Sequence, residues 1–157
     1  MRELRIVDAI ELATAYAAAE YAVVMDGDPL PLHVGRPAGD LEAYRPAQRY
    51  ALITAWNPAS APHSDAANET ADAALVARLD AAGIARQPAE GHSSDGCWRE
   101  PGWLLFDVSE MGLDLLAREF GQAGVLTWTA GEPVRLRMQL PRPERAGELT
   151  WVDWALE

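Results

Sequence analysis

Two short segments of almost continuously apolar residues constrain the fold more than any other feature of the chain. They are YALITA, residues 50–55, and WLLFDV, residues 103–108. A strand that is apolar on both faces needs cover on both sides, as the central strands of a sheet have. We therefore predict that both segments are interior strands of one sheet.

A helix signal follows each of these strands. The predicted helices span residues 65–82 and 109–120, and each begins after a serine that can accept a hydrogen bond from the first turn. Each also ends at a glycine, which readily adopts the left-handed conformation that closes a helix. We expect both helices to cover the sheet. The capping serines and closing glycines are Ser64 with Gly83 and Ser109 with Gly121.

The remaining segments indicate an α+β single domain with a mixed β-sheet and packed helices. Strand–helix–strand units suggest parallel neighbours, whereas hairpins suggest antiparallel ones. We assign residues 1–140 to the domain and 141–157 to a C-terminal extension that docks on it or on a second subunit, which would give a homodimer. The other predicted elements are a helix at 5–20, two strands around Asp26-Gly27-Asp28-Pro29, a helical turn within 36–49, a short strand at 84–88, an irregular segment at 89–102, a hairpin at 124–140 and a last strand or helical turn at 149–157.

Charge and composition exclude several classes of protein. The net charge is −11, with 24 acidic residues against 13 basic ones. This charge opposes binding to nucleic acid or to an anionic membrane, although it would suit a basic protein partner. No uncharged apolar run approaches the roughly 20 residues that span a bilayer. We therefore expect a soluble cytoplasmic protein, and with Cys97 as its one cysteine the chain cannot form an internal disulfide.

The loop at residues 56–64 is the first candidate site, because ligands often bind beyond the end of a central strand and near a helix N-terminus. Asn68 shares a helix face with Leu75 and Leu79, which places a polar amide beneath this loop. It either contacts a ligand or bonds the polar groups of the loop itself, and the second reading is favoured. Trp56 is either a stacking platform or a lid over core residues.

Other polar residues suggest weaker sites. A zinc reading of residues 90–100 and His63 fails on spacing and on the single thiolate, so we predict no metal and no cofactor. Gln122 follows a helix-ending glycine, where it can bridge the helix to the sheet or project into a cleft. Asp107 is expected to help cap the helix that follows it. The zinc candidates are His63, Glu90, His92, Asp95, Cys97 and Glu100, of which Cys97 and His92 also form a weak nucleophile–base pair.

These motifs together resemble a bacterial family known as domain of unknown function 3293 (DUF3293). The likeness rests on YALITAWNPAS, on Asn68, on Glu100 before WLLF and on FGQAGVL, and it covers about residues 20–136. It implies a compact intracellular domain. The motif residues that it implies are Ala55, Trp56, Asn57, Pro58, Asn68, Glu100, Phe120, Gly121 and Gln122.

The polar motif residues are amides and one carboxylate, which suit recognition better than nucleophilic attack. Our first hypothesis is that the protein binds a small polar or nucleotide-like ligand in a cleft beside the WNP loop. One alternative is an enzyme that uses Glu100 as a general base in the same cleft. Another is an acidic interaction or immunity-type protein that neutralises a basic partner. The predicted ligand-binding residues are Trp56, Asn57, Asn68, Glu100 and Gln122.

Overall fold

The computed structural model describes residues 8–58, 61–93 and 98–156. These residues form four α-helices, eight strands and a short 3-10 turn at Ala146–Glu148. The helices and strands are α1 (Ala9–Ala18), β1 (Glu20–Met25), β2 (Asp28–Leu32), α2 (Gly39–Tyr44), β3 (Arg49–Ile53), α3 (Asp65–Ala81), β4 (Arg86–His92), β5 (Arg99–Phe106), α4 (Glu110–Glu119), β6 (Gly124–Thr129), β7 (Arg135–Pro141) and β8 (Val152–Leu156).

All eight strands belong to one mixed sheet in the order β2-β1-β4-β5-β3-β6-β7-β8. The α+β class is confirmed. The expectation that strand–helix–strand units make parallel neighbours is wrong, because β7 and β8 are the only parallel neighbours among the described strands. The reason is interleaving: β5 lies between β3 and β4, and β3 lies between β5 and β6. The crossovers through α3 and α4 therefore each connect two parallel strands that are separated by one antiparallel strand.

The two apolar segments are interior strands, as predicted. In β3, Ala51 and Ile53 are each 1% exposed, and in β5 Leu104 and Leu105 are completely buried. Helices α3 and α4 cover one face of the sheet, packing Leu75 and their other buried residues against Ala51, Ile53 and Leu105. The predicted helices at 65–82 and 109–120 are thus confirmed in place and role.

The opposite face of the sheet carries a larger core, which α1 and α2 cover. Tyr50 stacks on Trp128 with ring centroids 5.2 Å apart and an interplanar angle of 11°. The indole Nε1 of Trp128 donates to Glu42 in α2 over 3.0 Å, which satisfies the polar atom of a buried tryptophan. Beside these aromatic residues, Ala13 of α1 packs into the same core. This face holds the cavity described below.

Two local predictions are wrong. The segment at 89–102 is not irregular throughout, because β4 extends to His92 and β5 begins at Arg99. Glycine and proline interrupt the apolar pattern in these strands and conceal them. Asp107 does not cap α4. It has a φ of 59°, and its Oδ1 accepts hydrogen bonds from the backbone N–H groups of Gln48 and Arg49 at the start of β3.

The C-terminal residues form β8, which pairs with β7. Val152 is buried in the larger core and Trp154 packs against it, while Arg135 and Asp153 form a two-bond ion pair at 2.7 and 2.8 Å. Trp151 remains 39% exposed, with the Arg135 guanidinium 5.6 Å from its ring centroid. The division of the chain at residue 141 stays a prediction, since β7 itself runs through Pro141.

Truncation after Pro141 should lower the stability of the protein or change its oligomeric state. The deletion removes β8 and uncovers apolar side chains of β7, including Leu136 and Met138, which are now 1% and 0% exposed. Exposed apolar surface of this kind favours unfolding or association. Thermal unfolding and size-exclusion chromatography measure both effects. An unchanged melting temperature together with an unchanged elution volume would contradict the prediction.

Candidate functional site

The loop after β3 is held by a reciprocal pair of amides. The backbone N–H of Asn57 donates to Asn68 Oδ1 over 2.8 Å, and Asn68 Nδ2 donates to Asn57 Oδ1 over 3.0 Å. Asn68 is 2% exposed. The interpretation that Asn68 bonds the loop is confirmed, because its side chain both donates to and accepts from Asn57.

Asn57 suits the tight geometry of this loop. Its φ is 47°, in the left-handed region that asparagine tolerates better than most residues. Its side-chain oxygen also accepts from the backbone N–H of His63 over 2.9 Å, so one amide links both ends of the loop. Ser64 then caps α3 by accepting from the N–H of Ala67, as predicted. The loop is therefore fixed between the end of β3 and the start of α3.

Glu100 of β5 extends the network from the loop into the sheet. Its Oε2 accepts one hydrogen bond from Asn57 Nδ2 over 3.1 Å and another from Trp98 Nε1 over 2.7 Å. Burial raises the pKa of Glu100, whereas the two N–H donors act in the opposite direction by stabilising the carboxylate. The site thus holds a carboxylate where ionisation is costly.

Gln122 joins the same region from the end of α4. Its Nε2 donates to the carbonyl of Trp56 over 3.1 Å and to that of Phe120 over 3.3 Å. Before it, Gly121 has a φ of 65°, and a Cβ at that position would lie 2.9 Å from the Cβ of Pro58. Only glycine fits this approach without a shift of the loop. The FGQ and WNP motifs are therefore in direct contact.

A cavity of about 360 Å³ lies between α1 and the strands of the larger core. Most of its lining is apolar or aromatic, and Glu100 and Gln122 are part of that lining. Gln122 therefore does both things expected of it, since it bridges the helix end and borders a cleft. Of the other predicted ligand-binding residues, Trp56, Asn57 and Asn68 are not among the lining residues that the structure describes. Asn57 donates to Glu100, and the Trp56 carbonyl accepts from Gln122. Asn68 holds Asn57 in place, so all three residues lie outside the described lining and position the two side chains that border the cavity.

The aromatic wall of the cavity was not predicted from the sequence. Tyr16 of α1 and Tyr21 of β1 line it, and the Tyr21 hydroxyl donates to the Tyr16 carbonyl over 2.6 Å. Burial raises the pKa of that Tyr21 hydroxyl well above its ordinary value. Gly91 and Gly124 also belong to the lining, and a Cβ on either would lie within 3 Å of a tyrosine ring. Glycines inside strands are the signal that could have indicated this close approach.

The structure describes most of the zinc candidates, but not all of them. Among the described residues, no group of three or more histidine, cysteine, aspartate or glutamate side chains could hold a metal ion. Asp95 and Cys97 lie outside the described residues. The Nε2 of His92 lies 3.5 Å from Glu90, and His63 is exposed. The absence of a metal stays a prediction. None of the described helices combines the length and apolar character that crossing a membrane requires.

Replacement of Asn68 by alanine should lower the free energy of unfolding by about 1–3 kcal/mol, because it leaves the Asn57 N–H without its partner. The better helix propensity of alanine offsets a few tenths of a kcal/mol of this loss. Glu69→Ala, at an exposed position of the same helix, is the control and should cost far less. Urea denaturation measures both variants. Equal stability of Asn68→Ala and the wild type would contradict the role of Asn68.

Replacement of Glu100 by glutamine should remove the contribution of this carboxyl group to the pH dependence of stability. Since the pKa of native Glu100 is raised above its ordinary 4.5, its stabilising contribution is present below that value and is lost as the pH rises through the native pKa. Glutamine stays neutral and can still accept the Asn57 and Trp98 hydrogen bonds. Relative to wild type, Glu100→Gln should therefore gain stability from about pH 4 toward neutrality. Parallel denaturation curves at each pH, with no relative gain, would show that the carboxylate is not desolvated.

A protein-family model matches the part of the chain that contains these residues. Residues 53–125 match the family model described as "Protein of unknown function (DUF3293)". The chain matches no curated protein and no solved structure. The matched segment runs from the end of β3 to the start of β6, so it contains the loop, Asn68, Glu100 and Gln122, whereas Tyr16 and Tyr21 precede it. The resemblance to the DUF3293 family that the motifs indicated is therefore confirmed over this segment, which is a little under half of the chain.

Proposed function

We propose that the protein binds a small organic ligand in the cavity between α1 and the sheet. The observation that carries the proposal is Glu100, a partly buried carboxylate that borders the cavity and is held in place by two N–H donors. Concave, largely apolar cavities with a few placed polar groups are typical of small-molecule sites. The family segment contributes Glu100 and Gln122 to the lining and the amides that fix them.

The residues that line the cavity restrict the chemical class of the ligand. Tyrosine, leucine and alanine side chains favour a ligand with an apolar or aromatic body. None of the described lining residues is an arginine, and the carboxylate of Glu100 would repel phosphate groups. These features support a compact ligand with one polar group in place of the nucleotide-like ligand that the sequence suggested.

A second candidate function is catalysis with Glu100 as a general base. The raised pKa of Glu100 favours it, because a base whose pKa lies nearer the working pH accepts a proton more effectively. The interaction or immunity-type alternative rests on net charge alone. Cytoplasmic location and a homodimeric state remain expectations from the sequence.

A protein-observed ¹H–¹⁵N NMR screen of a small-fragment library tests the proposed binding. We expect several fragments to bind the wild type and to shift the backbone amides of Gly91 and Gly124 at the cavity wall. Ala15→Trp, at an exposed position of the cavity lining, should abolish these shifts by filling the opening. Ala77→Trp is the matched control, because Ala77 is an exposed alanine of α3 on the other face of the sheet.

Two results would contradict the proposal. One is a screen in which no fragment shifts the amides at the cavity wall. The other is fragment binding that survives Ala15→Trp unchanged, because the fragments would then occupy a different surface.

A further inference from the structure

We propose that the ligand is an organic cation, with a protonated amine at Glu100 and an apolar or aromatic body in the cavity. The inference rests on the proposed function and specifies the chemistry of the same site. It is derived from the charge of the lining, the direction of the hydrogen bonds at Glu100 and the aromatic rings around it.

The charge of the cavity favours a cation. Glu100 is the one carboxylate among the described lining residues, and no arginine accompanies it there. A carboxylate removed from water is costly unless an opposite charge or enough hydrogen-bond donors compensate. Asn57 and Trp98 supply neutral donors only. A ligand ammonium would supply the positive charge that the lining lacks.

Among the described residues, the hydrogen bonds to Glu100 are made to one of its two carboxylate oxygens. Both protein donors reach the same atom, Oε2. They come from the loop and from Trp98, while Glu100 itself borders the cavity. The proposal places the ligand ammonium against Oε1, where a charge-assisted hydrogen bond would form. The protein network would then hold one carboxylate oxygen and the ligand the other.

Aromatic rings near Glu100 suit the same chemistry. Trp98 donates directly to the carboxylate and also lines the cavity, together with Tyr16 and Tyr21. Cations bind favourably over the faces of such rings, and quaternary ammonium ligands are recognised by cages of aromatic side chains. The Tyr21 hydroxyl is engaged by the Tyr16 carbonyl, so that ring offers the ligand mainly its apolar surface.

His92 is the described lining residue that could instead favour an anion. Its Nε2 lies 3.5 Å from Glu90 Oε2, so this imidazole already has a carboxylate partner within the protein. Arg99 pairs with Glu90 over 2.7 Å and is 63% exposed in its side chain, outside the lining. An anionic ligand would therefore be repelled by Glu100, and no arginine among the described lining residues would offset that repulsion.

Three probes with the same aromatic body separate the alternatives: 2-phenylethylamine, 2-phenylethanol and phenylacetate. Binding is measured by isothermal titration calorimetry near neutral pH, and its location by amide shifts at Gly91 and Gly124. We expect the amine to bind at least about tenfold more tightly than the alcohol, and phenylacetate to bind more weakly than both.

Two variants test the role of the carboxylate. Glu100→Gln should weaken binding of the amine at least about tenfold and binding of the alcohol by a clearly smaller factor, because glutamine still accepts a hydrogen bond but carries no charge. Unchanged amide positions of Gly91 and Gly124 in the free variant report that the cavity is intact. Glu119→Gln removes the same charge from an exposed ion pair with Arg78 and should change neither affinity. This control separates a local contact from the effect of net charge.

The outcomes distinguish the inference from the proposed function. If the alcohol or phenylacetate binds in the cavity as tightly as the amine, the cation inference is overturned and the binding function stands. The same conclusion follows if Glu100→Gln leaves amine binding unchanged. If none of the three probes and no fragment shifts the cavity amides, both the inference and the proposed function fail.

Discussion

The reciprocal amide pair of Asn57 and Asn68 is the interaction on which the site depends. It stabilises a left-handed residue in the loop after a core strand, and Asn68 reaches that residue from a buried position of α3. The Asn57 side chain then has one polar end committed to the loop and its Nδ2 free to meet Glu100. A single asparagine therefore connects the geometry of the loop after β3 to the position of the Glu100 carboxylate on β5.

Under the proposed function, this arrangement is a compromise between the stability of the free protein and the binding of a ligand. A glutamate partly removed from water lowers stability near neutral pH, and an amide at the same position could accept the same N–H groups at lower cost. The favourable contribution that the free protein lacks can come from a bound ligand, which stabilises the native state through binding. Functional sites are where such locally unfavourable groups are expected.

The sequence predicted best the elements in which several local signals agree. The apolar run indicated β3, and the Ser64 cap and the glycine after α3 indicated where that helix begins and ends. The position of Asn68 on the buried face of α3 indicated its contact with the loop. The strand at Arg86–His92 was harder to predict, because proline and glycine weaken its local signal and its pairing with β5 stabilises it. The cavity itself could not be predicted, since Tyr16 and Gly124 meet only through the tertiary fold.

The most direct test of the account is a ¹³C NMR titration of the Glu100 side-chain carboxyl, in the free protein and with 2-phenylethylamine bound. We predict that Glu100 in the free protein titrates with a pKa above the ordinary glutamate value of 4.5, and that saturating 2-phenylethylamine lowers this pKa. An ordinary pKa that does not respond to the amine would contradict the central claim, because it would mean that Glu100 is solvated and faces no ligand site.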